Sequence, residues 1–66
     1  MSWFKVGNNM INFDNVTEVK ISDDSNRMLI CFDTRGELLL EKNITVPEIA
    51  FNNLLDFLLK LCGEIK

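Results

Sequence analysis

The sequence predicts an α+β fold, an antiparallel β-meander of four or five short strands with one C-terminal α-helix packed on one face. Three observations carry this expectation. Through the first two-thirds of the chain apolar and polar residues alternate with the two-residue period of half-buried strands. Polar clusters rich in Gly, Asn and Asp punctuate that alternation. From Pro47 the pattern changes to a helical period and holds it to Cys62. At 66 residues the chain is a single small domain, 1–66.

The first strand is expected at 3–6, with Phe4 and Val6 on one face and Trp3 and Lys5 on the other. Gly7-Asn8-Asn9 is turn chemistry, because Gly and Asn tolerate positive φ. A second strand at 10–13 turns Ile11 and Phe13 inward, and Asp14-Asn15 then breaks or bulges the chain. The third, at 17–22, places Val19 and Ile21 inward and Glu18 and Lys20 outward. After the polar turn Asp23-Asp24-Ser25-Asn26, a fourth at 27–33 is apolar on both faces. That pattern suggests a central strand covered on both sides. Thr34-Arg35-Gly36 turns tightly into a fifth at 37–41, with Leu38 and Leu40 inward and Leu39 outward.

The helix is expected at about 47–62. Thr45 and Glu48 have capping-box spacing, and Pro47 suits the first turn, where no N–H is missed. Glu48 early and Lys60 late suit the helix dipole, and Gly63 is a natural stop. The apolar positions, from Ala50 and Phe51 through Leu54, Leu55, Phe57, Leu58, Leu59 and Leu61 to Cys62 and Ile65, sweep an arc of roughly 200°. A helix lying on one sheet needs a stripe of little over ~100°. The surplus calls for a partner, most simply a second copy of the chain. Leu55 and Leu59 on one flank and Phe57 and Leu61 on the other are the expected contact residues. Trp3, Met10, Leu29, Cys31 and Leu39, on the outward sheet face among Lys5, Glu18, Lys20, Arg27, Glu37 and Glu41, form a second apolar patch in a polar rim, with Trp3, Leu29 and Leu39 its expected contacts. Trp3 adds the large rigid area typical of an interface anchor.

Composition narrows the function. A chain this short is near the size at which one core is marginal, and disulfides, a metal or oligomerisation usually help. There is no His, and Cys31 and Cys62 lie far apart, so no metal or cofactor site is expected. Both Cys fall at apolar positions, and Met1 to Val6 lacks a basic region followed by a long apolar stretch. A reduced, intracellular, cytoplasmic protein is the expectation. No apolar run approaches the ~20 residues of a membrane span, and the helix's polar face lacks the cations of a membrane-surface helix.

A net charge of −3, with seven scattered cations, argues against a general nucleic-acid binder. Eight Asn against a single Ala suggest AT-rich coding DNA, hence a low-GC bacterium or its phage.

Catalytic constellations are missing. Without His or Tyr the common acid–base groups are absent, and no Ser or Cys has an activating context. Asp33 and Glu37 flank one hairpin as solvated turn residues. Asp23-Asp24-Ser25-Asn26 lacks the ligand spacing of a calcium loop and reads as an ordinary turn. No catalytic residue is assigned, and the chain is not expected to be an enzyme.

The run Ile11-Asn12-Phe13-Asp14-Asn15-Val16-Thr17-Glu18-Val19, followed by a hairpin and a helix, resembles the layout of several small bacterial meander-plus-helix proteins, a group of small flagellar proteins among them. The likeness lies in layout and apolar spacing and implies no function. The expected function is that of a small non-catalytic interaction module. It is homodimeric or docks on a larger protein, as a regulator or inhibitor encoded by a phage or low-GC bacterium would. The alternative is a nucleic-acid-associated regulator using a dimeric sheet surface with Trp3, Lys5, Lys20 and Arg27.

Overall fold

Five strands and one helix follow one another in the computed structural model, which describes residues 3–62 except for the side chain of Cys62. They are β1 (Trp3–Val6), β2 (Asn9–Asn12), β3 (Val16–Ile21), β4 (Arg27–Phe32), β5 (Glu37–Glu41) and α1 (Glu48–Cys62). The expected helix stop at Gly63 and the apolar Ile65 lie outside the described residues.

The strands divide into two antiparallel sheets, a β1–β2 hairpin and a three-stranded β3-β4-β5 sheet. A single continuous meander is therefore not formed; it separates between β2 and β3. The cause is local. Asn12 turns its side chain back to accept the Asp14 N–H at 3.0 Å, and Phe13–Asn15 winds into one 3-10 turn. Short polar side chains compete with a strand ladder in this way. Phe13 leaves the ladder yet remains buried.

Register follows from the turns. Gly7, with a φ of 59°, begins the two-residue loop that sets Phe4 opposite Ile11 and Lys5 opposite Met10. In the larger sheet Val19 lies opposite Ile30 and Ile30 opposite Leu38, while Lys20, Leu29 and Leu39 form the neighbouring row. Because the side-chain period is two, these rows lie on opposite faces. A bulge between Val16 and Glu18 makes Thr17 an extra residue, and its hydroxyl donates to the Cys31 carbonyl at 3.3 Å.

The core is made of Val6, Ile11, Phe13, Met28, Ile30, Leu40 and Val46 against Phe51, Leu54 and Leu58 of α1. The helical three have i, i+3, i+7 spacing, the narrow stripe one layer requires. β4 is central, but only its Met28/Ile30 face is fully covered. Leu29 and Cys31, expected beneath a second layer, are only half-buried, by neighbours in their own sheet.

The helix start also differs from its expected form. The Thr45 hydroxyl accepts from the Glu41 N–H at 2.6 Å and lies 3.4 Å from the Glu41 carbonyl, and so closes the turn after β5. Pro47 precedes the first helical residue, and its carbonyl accepts the Phe51 N–H at 2.9 Å. Thr45 is thus two positions too early to cap α1, and its hydroxyl is already bonded to Glu41.

Candidate functional site

The wide apolar arc of α1 meets different fates along its flanks. The hairpin covers part of one: Phe57 lies 4.6 Å from the Phe4 ring and 5.2 Å from the Phe13 ring, centroid to centroid, both pairs tilted. Tilted rings at these separations are favourable aromatic geometry. Phe57, expected at a partner contact, is half-buried within the monomer, as is Leu55. Nearer the helix end both flanks are open: Leu61, on the flank of Phe57, is 56 % exposed and Leu59, on the other, 58 %.

These two leucines border a groove of about 250 Å³ between the C-terminal half of α1 and β3. Phe13, Val16, Val19 and Ile21 line its sheet side, Leu58, Leu59 and Leu61 its helix side, and Thr17 and Glu18 complete it. Ile21 shares an inward row with the buried Met28 and Leu40, yet is 40 % exposed. It stands on the outermost strand, where the helix leaves the sheet partly uncovered. An expected core residue is thereby a groove residue.

β3 borders this groove and is an edge strand; among the described residues nothing pairs with its outer side. Its backbone orientation follows from its hydrogen bonds. Ser22 donates its N–H to the Arg27 carbonyl at 3.0 Å, so Ser22 faces β4. Alternation then turns Lys20 and Glu18 toward β4 and leaves the N–H and C=O of Val19 and Ile21 facing outward. The opposite edge is different. There the Glu41 carbonyl lies within 3.0–3.3 Å of the N–H groups of Ile44, Thr45 and Val46, so the turn after β5 closes that end.

The other expected contact residues do not converge on the groove. Leu29 and Leu39 are cross-strand partners on the outer face of the larger sheet, flanked by Lys20 and Arg27 in a shallow depression. Trp3 belongs to the separate hairpin, exposed on the face shared with Lys5 and Met10. The four residues of a nucleic-acid surface are thus split between two sheets. Arg27 stands opposite Glu41, while Glu18 and Glu37 flank Cys31.

Besides Ile21, two exposed aliphatics among the described residues were not expected as contacts: Ile44 at 77 % and Ile49 at 76 %. Ile49 had a legible signal, since two residues before Phe51 is about 200° around the helix from the buried stripe. Ile44 had none, being placed outward by a turn.

Chemistry-bearing groups are sparse. Among the described residues no three His, Cys, Asp or Glu side chains are grouped to hold a metal ion. Cys31 is a free, half-buried thiol 4.0 Å from Glu37 Oε2. Asp24 has its pKa lowered, first by the Ser22 hydroxyl donating to it at 2.6 Å and then by the Asn26 backbone N–H at 3.1 Å. These bonds lock the β3–β4 turn, with Ser25 held at a φ of 59°. They bind no group outside the turn. No described helix is long and apolar enough to cross a membrane.

No known protein family, characterised protein or solved structure matches this chain.

Proposed function

We propose that this chain is a small non-catalytic protein-interaction module that works as a homodimer inside the cell, using the groove between β3 and the end of α1. The observation that carries the reading is the join of an apolar groove to an open strand edge. Ile21, Leu59 and Leu61 are large, apolar and substantially exposed, and all three line that groove. Contiguous exposed apolar surface of this kind marks a contact site. A second copy is the simplest cover, because a two-fold axis sets the same patch against itself. The exposed Trp3 hairpin face and the Leu29–Leu39 pair then remain free for a larger protein, as a regulator or inhibitor would require.

Sedimentation equilibrium across a concentration series tests the reading. The expected mass is twice the 7.6 kDa of the chain, falling toward one chain on dilution. The double substitution Leu59→Lys/Leu61→Lys is expected to hold the protein at the single-chain mass while preserving its circular dichroism. A wild-type chain that stays monomeric at high micromolar concentration refutes the dimer.

A further inference from the structure

We infer that the second copy adds to this one through β3, the two strands running antiparallel about a two-fold axis at Val19 and extending the three-stranded sheet into a six-stranded one. This inference rests on the homodimer proposed above and specifies its geometry.

Val19 and Ile21 direct their N–H and C=O groups away from β4, and among the described residues no strand receives them. An unpaired edge is a template for another strand. On an antiparallel edge only outward-facing residues exchange hydrogen bonds, so few registers are available.

Charge selects among them. When Val19 stands opposite Val19 of the second copy, Glu18 stands opposite its Lys20, and Lys20 opposite its Glu18. Both residues are exposed on the outer face, so two complementary cross-strand ion pairs form from one short sequence. The neighbouring permitted registers are penalised. One sets Lys20 against Lys20 and the other sets Glu18 against Glu18. Edge charges that discourage arbitrary strand addition thus favour one self-complementary pairing.

The opposite face is consistent with this register. Val19 meets Val19, Ile21 meets Thr17, and the two grooves lie beside one another across the axis. Ile21, Leu59 and Leu61 of each copy are then covered by the other. The bulge at Thr17 interrupts the alternation there and limits the added ladder to about five residues, so side chains from the grooves must complete the contact.

Reciprocal charge exchange tests the register. Glu18→Lys alone and Lys20→Glu alone each turn two attractive pairs into two repulsive ones, and each is expected to raise the dimer Kd about tenfold or more. The double variant Glu18→Lys/Lys20→Glu exchanges the signs and is expected to restore the wild-type Kd. Mixing the two single variants is expected to give a heterodimer tighter than either homodimer, because all its cross-strand charges are opposite. Circular dichroism checks that each variant folds. A wild-type dimer whose Kd the single variants leave unchanged, or whose loss the double variant does not rescue, overturns the β3 register and leaves the homodimer standing. A monomeric wild type overturns both.

Discussion

Replacing Phe57 by Ala should do more than trim a helix. Phe57 is half-buried and its ring meets Phe4 of β1 and Phe13 of the 3-10 turn, at 4.6 Å and 5.2 Å. Because the hairpin shares no strand pairing with the larger sheet, this aromatic trio is a principal link between the hairpin and the rest of the fold. Full burial would put Phe→Ala at about 3–5 kcal/mol, and half-burial takes roughly half of that. Each of two tilted ring pairs adds about 0.5–1.5 kcal/mol. The expected loss is therefore about 4 kcal/mol, most of the ~5 kcal/mol such a small domain can be expected to have. Urea denaturation at fixed protein concentration measures it, and hydrogen exchange locates it, with β1–β2 amides losing more protection than those of β4. A loss under about 1 kcal/mol, or a hairpin that stays as protected as β4, would refute the idea that the trio ties the hairpin to α1.

Arg35 holds a φ of 71°, a conformation costing a non-glycine residue about 1–2 kcal/mol, so Arg35→Gly should stabilise by about 0.5–1 kcal/mol after glycine's own entropic cost; a lowered melting temperature would count against this. Asp24 has its pKa held below the ordinary 3.8, so its stabilisation of the turn is present above the unfolded value and is lost as pH falls through the folded one. A carboxyl titration followed by NMR should therefore have its midpoint below 3.8, and Asp24→Asn should abolish that acid dependence. Ile49→Lys should change stability by less than about 0.5 kcal/mol and leave the solution mass unaltered, because Ile49 lies outside the groove. Loss of the dimer on that substitution would move the interface to the start of α1.

Where the sequence was legible, the signals were local. Alternation located β1, β4 and β5 within a residue of their observed bounds, since the two-residue period of a strand is written directly in side-chain polarity. The helical period did the same for α1, and the Asp14-Asn15 break was visible in composition. The Thr45 cap failed because spacing alone cannot say which N–H a hydroxyl will reach first. The candidate site was legible only in part. The excess apolar arc of α1 placed Leu59 and Leu61 on surface the core does not use, and both are exposed, but Phe57 on the same arc was taken up by Phe4 and Phe13, partners remote in sequence.

The class of fold, the strand and helix positions and the surplus of apolar helix surface are all set by residues within a few positions of one another, and so are readable along the chain. The division of the strands into two sheets, the outer place of β3 and the exposure of Ile21 at a groove are not local properties. Those outcomes depend on which elements meet across long stretches of chain. A side chain's polarity pattern specifies that one face needs covering; the path of the backbone determines how far the cover extends.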